Sequence, residues 1–191
     1  MSNTLRTFIA VPINFHIQNA IGHIQNDLKK VGADIKWVNP KNIHITLKFL
    51  GEISSDKIEN VSKILHDVIV PKEPFSMPFS TLGAFPKIER PKVLWIGNNS
   101  TSKRITEIAQ ELEEALEKIG FEKEKRKFEP HLTIGRVRSP INKFALSKKI
   151  KKYEIRKELM QDITEVNLYK STLRSHGPLY EILKTVTLSK R

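Results

Sequence analysis

The chain contains no cysteine. That excludes a disulfide, a thiolate zinc site and a cysteine nucleophile. It suits a reducing compartment, and a cytoplasmic location is expected. Long apolar runs are also missing. None approaches the roughly 20 residues that span a bilayer. The start, Met1 to Arg6, leads into a five-residue apolar strand rather than a longer apolar region with a small-residue cleavage site, so no secretory signal is expected. No low-complexity tract or Gly/Ser-rich linker divides the sequence. There is no Gly-rich phosphate loop ending in Lys, so ATP hydrolysis is not indicated. His and Asp clusters at ligand spacing are absent too, so no metal and no cofactor are expected.

What is present fits one domain. The chain has 191 residues, 39% of them hydrophobic, enough to bury a core. Lys and Arg number 33 against 21 Asp and Glu, a formal charge of +12. Such a balance favours polyanionic partners, nucleic acid among them. The blander alternative is a solvated, lysine-rich surface.

An inexact internal repeat organises the sequence. Phe8 to Pro12 reads as a strand. Residues 14 to 31 follow with Ile17, Ile21, Ile24, Leu28 and Val31 at helical spacing, and Gly32 is a plausible cap. A short strand at Ile35 to Val38 and an alternating one at Ile43 to Phe49 complete the unit. Val93 to Ile96 begins the second unit. A helical stripe from Ile105 to Ile119 stops at Gly120, and a strand at His131 to Val137 closes it. Phe8 lies 36 residues before His44, and Leu94 lies 37 before His131. Each unit is followed by a helical pattern, Ser54 to Ile69 and, more weakly, Phe144 to Ile150. Strands at Ile163 to Leu168 and Tyr180 to Leu188 end the chain. Pro71 to Pro91 holds five of the ten prolines and reads as short edge strands and turns. The expected fold is α+β, with two pseudo-symmetric lobes of antiparallel sheet, helices outside and a cleft between. Residues 1–191 form one such domain.

Both second strands carry a histidine and a threonine two residues apart. In Asn42-Ile-His-Ile-Thr-Leu-Lys-Phe49 the period-two alternation puts Ile43, Ile45, Leu47 and Phe49 on the core face. It puts His44, Thr46 and Lys48 on the other. In Pro130-His-Leu-Thr-Ile-Gly-Arg136 the residues His131 and Thr133 likewise face out, 87 positions after their counterparts. Arg136 shares the parity of Leu132 and Ile134, so it reaches the same face only if the strand ends or bulges at Gly135. Two imidazoles with ordinary pKa near 6.5 can divide acid and base work at neutral pH. Hydroxyls and an arginine can donate to phosphoryl oxygens as charge grows on them. This set suits metal-free displacement at phosphorus in a strained cyclic phosphate. The residues alone leave open which histidine is acid and which is base.

The sequence resembles the two-histidine phosphoesterases, and most closely their RNA 2′,3′-cyclic phosphodiesterase branch, also called the 2′-5′ RNA ligase family. The resemblance spans nearly the whole chain. It rests on Arg6 to Pro12, Trp37-Val-Asn-Pro40, His44-Ile-Thr-Leu-Lys-Phe-Leu-Gly51, Phe85-Pro, Pro91 to Trp95, Phe128 to Arg136, Ser171-Thr-Leu and Gly177 to Tyr180. It implies a monomeric enzyme that opens RNA 2′,3′-cyclic ends, tRNA fragments among them, to 2′-phosphomonoesters. By the resemblance His44 is the proton donor and His131 the proton acceptor. Thr46, Thr133 and Arg136 then bind the substrate phosphate, and reverse ligation is a minor activity.

Other readings compete. Single histidines on strands are usually satisfied packing residues, and threonines are good strand formers. Lys48 reads equally well as a solvated strand lysine. Trp37 and Trp95 read as packing, although Trp37 is near enough to the first motif to stack a base. Glu122 to Lys127 reads as a charged loop, and Lys148 to Lys152 as a basic face. His16, His23 and His66 read as helix surface, and His176 as part of a turn. A non-catalytic RNA-binding module, or a phosphodiesterase for a small cyclic phosphate, is the alternative function.

Overall fold

The computed structural model describes residues 4–98, 103–156, 158–175 and 177–189. His176 lies outside them, so the turn expected there is not described. Among the described residues ten strands and four α-helices follow in order: β1 Thr4–Pro12, α1 Phe15–Lys29, β2 Ile35–Trp37, β3 His44–Ser54, α2 Lys57–Ile69, β4 Phe75–Phe79, β5 Thr81–Phe85, β6 Val93–Gly97, α3 Lys103–Glu117, β7 His131–Val137, α4 Lys143–Lys151, β8 Leu159–Ile163, β9 Glu165–Arg174 and β10 Gly177–Thr187. The main sheet runs β10-β9-β1-β3-β7-β6-β5, with β2 added on β7, and neighbouring strands pair antiparallel. A separate ribbon pairs β4 with β8. The architecture is the expected α+β one.

Local chemistry accounts for the elements. Asn14 caps α1, its side chain accepting the Ile17 amide at 2.9 Å. Ile17, Ile21, Ile24 and Leu28 form the buried stripe of that helix. Gly32 and Gly120 take positive φ just past α1 and α3, as helix ends favour. The helix stripes and the inward side chains of the strands, such as Ile9, Val11, Ile45, Leu47, Leu132 and Ile134, make a single core. The proline-rich segment forms β4 and β5, and β5 is the outer strand of the sheet. One strand differs from its expected place. Ile163 to Leu168 straddles the junction of β8 and β9 at Thr164, and β9 continues to Arg174. No helix among the described residues is long and apolar enough to cross a membrane.

The two halves of the sheet meet at β3 and β7, where Ile45 stands opposite Leu132. Both side chains are fully buried. Each is the middle residue of a His-x-Thr unit. The units therefore lie back to back about one point, with their polar side chains on the face opposite the core.

Candidate active site

Antiparallel pairing about Ile45 and Leu132 brings His44, Thr46, His131 and Thr133 to one patch. All four are half-buried. The histidines are close enough that a proton on His131 lowers the His44 pKa.

The two rings are held alike. His44 Nδ1 lies 2.8 Å from the Asn42 carbonyl oxygen, and His131 Nδ1 lies 2.7 Å from the Glu129 carbonyl oxygen. A carbonyl can only accept, so Nδ1 carries the hydrogen in both. Nε2 is then the nitrogen that gains and loses a proton in each ring. Burial lowers both pKa values from the ordinary histidine value, chiefly by penalising the charged ring. The carbonyl bonds oppose that shift. His131 supplies a further lowering at His44, and Arg136 does so at His131.

Aromatic side chains make the burial. Phe8 stacks on His44 with ring centres 4.7 Å apart, and Tyr180 meets the same ring edge-on at 5.4 Å. Phe85 meets His131 edge-on at 5.0 Å and is backed by Trp95 at 5.3 Å. Trp95 lies directly over Gly83, where an added Cβ would sit 2.2 Å from its ring. Sequence reasoning assigns no role to Phe8, Tyr180 or Phe85. β1 reads Phe-Ile-Ala-Val without alternation, which signals cover on both faces. That is the one clue to Phe8.

Two matching irregularities decide which later residues join the patch. Against β1, Thr46 pairs with Ala10 and Lys48 with Ile9, which leaves Leu47 unmatched. Against β6, Thr133 pairs with Trp95 and Gly135 with Leu94, which leaves Ile134 unmatched. Each bulge falls three residues after its histidine and flips the parity beyond it. Arg136 is therefore exposed and lies on the polar side, as a bulge at Gly135 would allow. Gly135 suits the spot because a Cβ there would press Ile35 at 2.8 Å and Trp37 at 3.1 Å.

The first bulge overturns two expectations in β3. Lys48 is not on the His44 face but is 3% exposed, and Phe49 is not in the core but 58% exposed. Lys48 Nζ donates to Glu113 Oε2 at 2.8 Å and to the Glu122 carbonyl at 2.6 Å. Phe49 emerges beside Phe8, ring centres 6.1 Å apart, so one ring touches both it and His44. Trp37 packs on the core beside Gly135 rather than at the first motif. On α4, Lys149 and Lys151 are paired with Asp27 and Glu89.

A family model for LigT-like phosphoesterases matches the chain twice, over residues 11–95 and 96–180. The two matches meet within β6, between Trp95 and Ile96, so each includes one His-x-Thr unit. The chain is 37% identical over 180 residues to the RNA 2′,3′-cyclic phosphodiesterase of Methanocaldococcus jannaschii, covering 94% of this chain and 99% of that one. It is 33% identical over 188 residues to the protein of the same name from Thermotoga maritima, covering 94% and 93%. The fold is similar to that of E. coli LigT in complex with 3′-AMP, with a TM-score of 0.80 at 23% identity over 98% of this chain and all of that one. The chain belongs to the LigT-like phosphoesterase family.

Proposed function

We propose that this protein hydrolyses RNA 2′,3′-cyclic phosphate ends to 2′-phosphomonoesters, with His44 as proton donor and His131 as proton acceptor. The observation that carries the reading is the matched pair of rings. Each is anchored through Nδ1 to a carbonyl two residues earlier, and each keeps Nε2 for proton transfer. The relatives named above supply the substrate class.

In this reading His131 Nε2 takes a proton from water as its oxygen attacks phosphorus. The bond from phosphorus to O3′ breaks, and His44 Nε2 gives its proton to that leaving oxygen. Thr46 and Thr133 donate to the non-bridging oxygens from either side, and Arg136 neutralises the developing charge. Neither step calls for a metal or cofactor. Phe49 offers its exposed face to the terminal base. Residues 1–191 act as one domain and as a monomer, each half supplying one His-x-Thr unit, and the reverse joining to a 5′-hydroxyl is a minor activity. The +12 charge favours RNA over a small cyclic metabolite.

The test is hydrolysis of an oligoribonucleotide ending in a 2′,3′-cyclic phosphate, in excess EDTA, by wild type, His44→Ala and His131→Ala. The expected outcome is a 2′-phosphate product and losses of about 10²–10⁴-fold in each variant. Activity abolished by EDTA, or either variant retaining wild-type turnover, overturns the reading.

A further inference from the structure

A groove of about 990 Å³ opens beside Phe49. One wall is the outer half of β3 from Phe49 to Ser54, continued by Lys57 at the start of α2. The other wall is the loop from Gly120 to Arg126. Its volume lies at the top of the roughly 300–1,000 Å³ that suit a drug-sized ligand. Its length along β3, five steps from Phe49 to Ser54 at about 3.3 Å each, is on the order of 15 Å. Stacked nucleotides advance about 3.4 Å each, so the groove matches about four of them.

The groove adjoins the patch around His44 through Phe8. The Phe8 ring touches both His44 and Phe49, and Phe49 forms the near end of the groove. Lys and Arg outnumber Glu five to three along the lining. Two of the cations are engaged: Lys48 with Glu113, and Lys123 with Glu117 at 2.7 Å. Lys57, Lys125 and Arg126 are exposed at the walls, alongside the lining carboxylates Glu52, Glu122 and Glu124. Lys57 reaches across, its Nζ 5.8 Å from the centre of the Phe121 ring on the loop. The loop is held in place from below, because Lys48 binds the Glu122 carbonyl and Glu113 accepts the Glu124 amide at 3.1 Å. A held loop presents its cations at fixed positions, as a backbone-tracking surface requires.

We propose that this groove binds the RNA strand on the 5′ side of the cyclic end, with Lys57, Lys125 and Arg126 contacting its phosphates. The inference rests on the phosphodiesterase reading for the nature of the ligand. A cyclic end has nucleotides only on its 5′ side, so a strand leaving the His44 patch over Phe49 runs into the groove. The protein then prefers an oligonucleotide to a mononucleotide with the same reactive end.

The test compares wild type with Lys57→Glu/Arg126→Glu and with Lys125→Glu. A charge-matched control, Lys148→Glu/Lys152→Glu, alters exposed lysines at α4. Two readouts are taken: turnover of a ten-residue RNA and of a nucleoside 2′,3′-cyclic phosphate, and fluorescence anisotropy of the same RNA carrying a 2′-phosphate. The groove double variant is expected to raise KM for the RNA roughly tenfold. It is expected to flatten the salt dependence of binding by about 0.7 in log–log slope for each phosphate deprived of its cation. Turnover of the nucleoside substrate and the behaviour of the control stay at wild-type values. Equal weakening by groove and control variants would reduce the effect to net charge and overturn the proposal. So would an unchanged KM, or a parallel loss on the nucleoside substrate. Wild type that turns over neither substrate refutes the hydrolase reading, and the anisotropy series still decides the groove.

Discussion

Lys48→Met tests whether the first bulge places a buried cation where alternation alone would have left a solvated one. The substitution keeps an apolar stem of similar length and deletes the ammonium. The Lys48 side chain is 2% exposed and that of Glu113 is 17%. Breaking a buried pair by removing one partner costs about 3–5 kcal/mol. Glu113 retains the Glu124 amide and some access to water, which brings the expected loss to about 2–3 kcal/mol. For a chain of this size that lowers Tm by about 4–12 °C. Equilibrium urea unfolding measures it, alongside Glu113→Leu and the double variant. The double variant is expected to recover at least about 1 kcal/mol relative to the sum of the singles, because a buried pair replaced by apolar side chains leaves no charge unpaired. A surface lysine would change stability by about 0.5 kcal/mol or less. A Lys48→Met loss of that size, or strict additivity in the cycle, would refute the argument.

Two further outcomes are expected. Both histidine pKa values are lowered, so the state with one proton shared by the pair is centred below pH 6.5. The acid limb of kcat/KM follows the base and the alkaline limb follows the acid, so a pH series should peak on the acid side of 6.5; a maximum above about pH 7 contradicts the assigned burial. Gly135→Ala introduces a Cβ 2.8 Å from Ile35 and 3.1 Å from Trp37, and β2 must shift to admit it. A stability loss of about 1–3 kcal/mol in thermal melts is expected, with reduced turnover because Arg136 moves with the strand, and wild-type values in both assays would count against the bulge as its positioning device.

Much of this arrangement is legible because periodicity reports faces. The helical stripes at Ile17 to Leu28 and Ile105 to Leu116 are the buried ones. The strand of the second motif runs over His131–Val137, as its pattern predicts. The repeat is visible too, although strand register pairs Ala10 with Thr46 as it pairs Trp95 with Thr133, so Phe8 corresponds to Val93 rather than to Leu94. What fails is parity beyond a bulge. A bulge depends on the neighbouring strand, and no period within β3 announces it. Gly135 hints at one in β7, whereas Lys48 gives no such hint in β3. The carbonyls of Asn42 and Glu129 are equally hidden, since backbone groups carry no sequence signature. The ring contacts of Tyr180 depend on β10 returning beside β9 from far along the chain.

The two bulges explain how a repeated scaffold yields an unsymmetrical site. Each sends two consecutive residues to the core side and delivers the next one to the patch. In the second half the inward place is taken by Gly135, because Ile35 and Trp37 of β2 fill the space a side chain would need. In the first half it is taken by Lys48, because α3 presents Glu113 there. The residue delivered is Arg136 in one case and Phe49 in the other, each five positions after its histidine. A cation and an aromatic face thus flank one pair of imidazoles. A cation answers a phosphate and a ring answers a base, whereas two cations or two rings would answer only half of a nucleotide. On the proposed function, the same backbone step, made twice with different side chains, points a nucleotide in one direction across the patch. Its base would then lie toward Phe49 and the β3 groove, and its phosphate toward Arg136.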